Sequence, residues 1–225
     1  MKNKILIALL FLSAIAFAQE PITKNLGDFN TLKIFNGLSV ELEKSNKAKL
    51  VITGSQADEV VVKNANGTLK IRLHFPENFI AEDVQVKLFY KNDIAILDAN
   101  EGGLIFSEET IKQKHLEVKA QEGASIKLPV KTEHLKVKSV TGGVIILEGK
   151  ALNQLVEVTT GGIYKGENVK SAQAVVTSAS GGIVNVNVSD ILDAKVRFGG
   201  NIYYKGKPKT IKEKKIIGGS IKPMY

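Results

Sequence analysis

The chain of 225 residues has no cysteine, no tryptophan, 5 prolines, 3 histidines and only 6% aromatic residues. Without cysteine there is no disulfide framework, no thiol catalysis and no cysteine-based zinc or iron–sulfur site. With so few aromatics any core has to be aliphatic, and at 44% hydrophobic content the chain is too apolar to stay disordered. Helical periodicity is missing between residues 22 and 225, which excludes leucine-rich and ankyrin arrays. After the first eighteen residues no apolar run approaches the roughly 20 residues of a membrane-spanning helix. The length suits a single all-β domain.

The N-terminus stands apart. Lys2 and Lys4 precede an apolar run from Ile5 to Leu12, and Ala16 to Ala18 supplies a small-x-small cleavage site. This pattern predicts a secretory signal peptide over residues 1–18, rather than an uncleaved anchor, and export to the periplasm or cell surface. No cysteine follows the apolar run, so a lipid anchor is not expected, nor is a transmembrane segment in the mature chain. Removing Lys2 and Lys4 takes the basic count from 31 to 29 against 23 acidic residues, and the formal charge from +8 to +6.

What the sequence does have is glycine in pairs. Gly102-Gly103, Gly142-Gly143, Gly161-Gly162, Gly181-Gly182, Gly199-Gly200 and Gly218-Gly219 recur through the C-terminal half, with Gly123-Ala124 filling the gap. An isoleucine lies two residues after a Gly or Ala of each pair: Ile105, Ile126, Ile145, Ile163, Ile183, Ile202 and Ile221, spaced by 21, 19, 18, 20, 19 and 19 residues. Upstream of each pair runs a short alternating stretch, such as Leu116 to Val118 or Leu135 to Val137. Short strands with one recurring aliphatic position predict an all-β parallel β-solenoid of about 19-residue turns, the seven isoleucines forming one internal ladder. An antiparallel β-sandwich with evenly spaced strands is the alternative. Residues 19–92 are strand-rich without the clean period, with Asn66-Gly67 as a hairpin signal, and are expected to form a cap or degenerate turns before the repeats at 93–225.

The runs Thr141 to Ile145, Ser180 to Ile183 and Phe198 to Pro208, together with the signal peptide, make the chain resemble the family called putative auto-transporter adhesin, head GIN domain. That resemblance spans nearly all of the mature chain. It implies a right-handed parallel β-helix-like fold with both halves in one domain, export to a bacterial envelope, and an adhesin-like role. The family has no established catalytic or binding residues to carry over.

The residues themselves offer few chemical sites. Glu108 and Glu109, Asp190 and Asp193, and Asp93 and Asp98 fall at different offsets from the ladder, so no column of carboxylates for polysaccharide cleavage emerges. The Gly pairs lack a following helix to hold phosphate, and lack the Gly and Asp of calcium-binding nonapeptides. His115 and His134, one period apart, could stack but have no third metal ligand. No catalytic, cofactor or metal residue is therefore assigned. The candidate ligand surface is Tyr203, Tyr204, Lys205, Lys207 and Lys209, at the head of a segment to Lys215 with six lysines and one glutamate; the plain alternative is an exposed loop between the last two turns. The expected function is a non-enzymatic envelope or surface module that binds a glycan or protein, without a cofactor or nucleic-acid partner. A carbohydrate-active enzyme and a self-assembling homo-oligomeric scaffold are the alternatives.

Overall fold

A computed structural model describes residues 20–74 and 84–224, so the expected signal peptide lies outside the described residues. The described residues are 66% strand without an α-helix, and their strands stack in parallel as a β-solenoid of about 7 turns, about 19 residues apart. Parallel stacking rules out the antiparallel sandwich. The long strands Ser125–Ser139, Val144–Val158, Ile163–Ala179 and Ile183–Arg197 each wrap around the core, paired residue by residue with the coils on either side.

A core ladder runs through the stack as expected, but its membership differs at two places. Val40, Ile105, Ile126, Ile145, Tyr164, Val184, Ile202 and Ile221 are successive register partners and all are buried. Ile163 and Ile183 pair with each other one position earlier and point outward, Ile183 being 37% exposed. The register is set by the second residue of each Gly pair, and the ladder residue lies two after it. In the copies at 161–163 and 181–183 the isoleucine follows that residue directly, so Tyr164 and Val184 take the core slots.

The turn explains the glycines. Thr141 (φ 49°) and Gly142 (φ 73°) are both left-handed, and Thr160-Gly161 and Ser180-Gly181 repeat the conformation, so one two-residue turn recurs along the stack. These turns also bond to one another: the Gly123 amide donates to the Thr141 carbonyl and the Gly142 amide to the Thr160 carbonyl. At Gly143 the constraint is room rather than φ, since a Cβ there would collide with the Ala120 carbonyl oxygen of the neighbouring coil.

Tyr164 is the one aromatic in the ladder. Its ring fits because Gly166 has no Cβ to meet it. Its hydroxyl donates to Gln154 Oε1 (2.7 Å), Gln154 Nε2 donates to Ser171 Oγ (2.9 Å), and Ser171 Oγ donates to the Asn187 carbonyl (2.7 Å). A polar chain thus crosses the core with its members satisfied. Burial, and secondarily the charge of Glu167, pushes the Tyr164 hydroxyl far above its ordinary pKa of 10.0.

Both ends of the stack depart from the repeat. At the N-terminal end, stacking order and chain order differ. The coil formed by Thr31–Ile34 and Ser39–Lys44 lies between that of Thr68–Leu73 with Gln85–Tyr90 and that of Ile96–Ala99 with Leu104–Phe106. The outermost strands there are covered by antiparallel partners: Val60–Ala65 on Thr68–Leu73, Lys49–Thr53 on Gln85–Tyr90, and Ile22–Asn25 on Lys49–Thr53. Asn66 (φ 51°) and Gly67 (φ 72°) form the hairpin turn. At the other end most of the lysine-rich segment is strand rather than loop, Thr210–Ile216. Its Ile211, Glu213 and Lys215 continue the inward columns of Leu192, Ala194 and Val196, and Glu213 and Lys215 pair at 3.8 Å. Charged residues therefore stand over the apolar end of the core.

The corrected ladder makes testable demands on stability, read by urea denaturation. Ile145→Asp should cost more than about 4 kcal/mol, because it buries an unpaired charge, whereas Ile163→Asp should cost less than about 1 kcal/mol. Equal costs would return Ile163 to the core. Gly143→Ala should cost about 1–3 kcal/mol through backbone collision. A pH series tests Tyr164. The raised pKa adds stability that is fully present below pH 10 and is lost above it, where the unfolded chain ionises and the folded one does not. The wild type should lose about 1.4 kcal/mol more per pH unit there than Tyr164→Phe, and parallel curves would refute the buried hydroxyl.

Candidate functional site

Strand alternation divides the predicted C-terminal surface. Tyr203 points outward, in register with Asn185 and Lys222. Tyr204 pairs with the buried Val186 and packs against the core. Lys205 is exposed at the end of the strand Asn201–Lys205, and Lys207 and Lys209 lie exposed in the connection that follows. Lys209 is engaged, its Nζ 2.7 Å from Asp190 Oδ1. The hydrogen bond from Lys209 holds the Asp190 carboxyl below its usual range and raises the Lys209 ammonium in turn. Tyr203 thus shares a face with Lys222, while Tyr204 and Lys209 have other partners.

His115 and His134 stack as their one-period spacing suggested, with ring centroids 4.8 Å apart and planes inclined by 11°. The next residue in their column is Asn153, whose Nδ2 lies 3.4 Å from His134 Nδ1. Among the described residues no group of three histidines and carboxylates could hold a metal ion.

A groove of about 510 Å³ opens instead on the outer face of the strands that follow the Gly turns. Two outward columns meet at it. One contributes Ser39 and Leu104 at its N-terminal end. The other runs Phe106, Lys127, Ile146, Lys165, alternating apolar and basic from coil to coil. At the corner stand Glu108, Glu148, Glu167 and Asn168. Glu167 Oε2 is buried and has no hydrogen-bond partner among the described residues. A buried carboxylate oxygen without a donor is costly, and Glu167 also lines the groove.

The groove combines apolar surface from Phe106 and Ile146, two ammonium donors from Lys127 and Lys165, and carboxylate and amide groups along one edge. A sugar ring has the matching chemistry, with an apolar C–H face and a rim of hydroxyls that both donate and accept. None of these residues was selected from the sequence. A usable signal exists in Val144-Ile145-Ile146, where a strand with one buried face should carry polar residues at its outward positions 144 and 146. Ile146 is 37% exposed.

No curated protein matches the chain significantly. Several solved structures share its fold. A putative adhesin from Bacteroides fragilis NCTC 9343 superposes with a TM-score of 0.80 at 19% identity, over 92% of this chain and 98% of that one. A putative adhesin from Parabacteroides merdae ATCC 43184 gives 0.68 at 20%, over 92% and 96%. A protein from Parabacteroides distasonis ATCC 8503 described as a putative lipid binding protein gives 0.69 at 20%, over 92% and 98%. Residues 28–208, from the cap through the basic turn after Tyr204, match the sequence profile of the family described as putative auto-transporter adhesin, head GIN domain, and the chain belongs to that family.

Proposed function

We propose that the protein is an exported, non-enzymatic binding module of the cell envelope or surface, adhesin-like, and that its groove holds a short stretch of glycan. The observation that carries this is the alternating Phe106, Lys127, Ile146, Lys165 column with the carboxylates of Glu108 and Glu148 along its edge. Apolar and donor groups at the coil spacing of about 4.8 Å suit a ligand whose own apolar and polar faces recur at short intervals. The family's adhesin description and the adhesins among the similar folds support a binding role. The signal-like N-terminus supports export, and among the described residues no helix is long and apolar enough to cross a membrane. Self-assembly by end-on stacking is opposed at the C-terminal end by Glu213 and Lys215, which would face any further coil.

A glycan array followed by titration calorimetry tests the proposal on the mature protein. An oligosaccharide hit should weaken at least about tenfold in Phe106→Ala and in Lys165→Ala, a loss of about 1.4 kcal/mol each, while Leu152→Ala, exposed outside the groove, stays unchanged. Full affinity in both groove variants would move the site elsewhere. Shortened sugar products would overturn the non-enzymatic role, and binding to phosphatidylcholine vesicles without any glycan hit would favour a lipid ligand.

A further inference from the structure

Four lysines stand above one another on four successive coils. Lys112 pairs with Lys131, Lys131 with Lys150 and Lys150 with Lys170, and all four are exposed. At about 4.8 Å per coil their Cα atoms line up over about 14 Å parallel to the rod axis. Among the described residues no ion pair reaches any of them. Like charges directly opposite one another weaken strand pairing, so such a run is a standing cost to the fold. Elsewhere runs are interrupted or compensated: Lys63, Lys70 and Lys33 stack in succession, but Lys33 then meets Asp98 at 3.1 Å. Lys119 and Lys138 are adjacent, but Glu117 pairs with Lys119 and Glu157 stands beside Lys138.

The column is also narrow. On one side stand its neighbours Pro129, Glu148 and Asn168, in register with one another. On the other, Glu133 follows two residues after Lys131 and pairs with Lys114 at 3.8 Å. At its N-terminal end Lys112 shares a pocket with Asp93 and Glu109. At its C-terminal end Lys170 meets Asn187, beyond which Lys205 resumes the line. The positive charge thus runs in single file, with Glu148 on one side of its middle and Glu133 on the other.

We propose that this column is a rail for a linear acidic polysaccharide with one carboxylate per sugar, laid along the rod axis. Successive sugars of such a chain are turned relative to one another about its axis, so the carboxylates on the side facing the rod meet lysines of the column at intervals of more than one coil. Duplex DNA fits poorly, because its charges fall every ~1.7 Å on two strands that wind away from a straight line. An anionic membrane fits poorly too, since a plane wide enough to touch the column also meets Glu133 and Glu148. The rail rests on the glycan-binding reading for its ligand class, but uses a column separate from the groove, beyond Glu148 on the same coils.

Fluorescence anisotropy with labelled polygalacturonate tests it. The wild type should bind at low salt and release steeply as salt rises, the mark of displaced counter-ions. Lys131→Glu with Lys150→Glu should weaken binding by at least about tenfold, while Lys195→Glu with Lys214→Glu, equal in charge change but in another column, should stay within about twofold. Thermal unfolding should show both double variants folded; if the glutamates disturb the rail, Lys131→Gln with Lys150→Gln replaces them. Equal losses in the two double variants would assign binding to net charge and overturn the rail, as would no binding by the wild type. Tighter binding of duplex DNA or of phosphatidylglycerol vesicles, abolished by the rail variant, would overturn the ligand class. Groove-dependent binding of a neutral glycan by a wild type that does not bind polygalacturonate would overturn the rail while the groove stands.

Discussion

Everything in this molecule depends on coils approaching one another at the distance of a parallel strand pair, including at the turns. Strands reach that distance without help, but a turn does so only if nothing projects between its backbone and the carbonyls of the next coil. The pairs Gly142-Gly143 and Gly161-Gly162 meet both conditions. Their first residues accept a left-handed conformation, and their second leave room for the Ala120 and Ser139 carbonyls. With that spacing kept, the amides of Gly123, Gly142 and Gly161 bond from turn to turn, and the stack is continuous on every side.

Stacking turns one-dimensional sequence into columns, and each column can be used separately. Inward columns are filled by aliphatic residues, each buried side chain contributing about 1.5–3 kcal/mol, with Tyr164 fitted through Gly166 and the Gln154–Ser171 chain. Outward columns are free of that demand. One alternates Phe106, Lys127, Ile146 and Lys165 into a groove, and another repeats lysine from Lys112 to Lys170. A regular scaffold of this kind displays chemistry at a fixed pitch, which suits ligands that are themselves polymers of a repeating unit. The ends are handled differently from the middle: antiparallel strands cover one, and Glu213 with Lys215 covers the other.

The repeat was legible because glycine marks it, and both the period and the strand content follow from those marks. The ladder was legible to within one residue. Taking the isoleucine as the marker misplaced Ile163 and Ile183, since side chains alternate every residue along a strand and a shift of one moves a side chain from core to solvent. The same alternation separates Tyr203 from Tyr204, which adjacency in sequence made look like one surface. The groove was less legible still, because Phe106, Lys127, Ile146 and Lys165 each lie about a coil from the next in the chain and meet only through register. The exposed member of the Val144 to Ile146 run was its one local trace.

By itself, then, the amino-acid sequence determined a β-solenoid of about nineteen-residue turns, its family, and the composition of an aliphatic core; these rest on local turn chemistry and on spacing along one chain. Only the tertiary structure decided which residues share a column, that the coil at 31–44 is stacked between coils from later in the chain, and which outer faces carry a groove or a line of lysines. Those outcomes depend on the register between coils. Register is a relation among residues some nineteen positions apart, set where glycine lets backbones meet, and small shifts such as those at Ile146/Glu148 and Gly166/Lys170 change it without any mark in the local pattern.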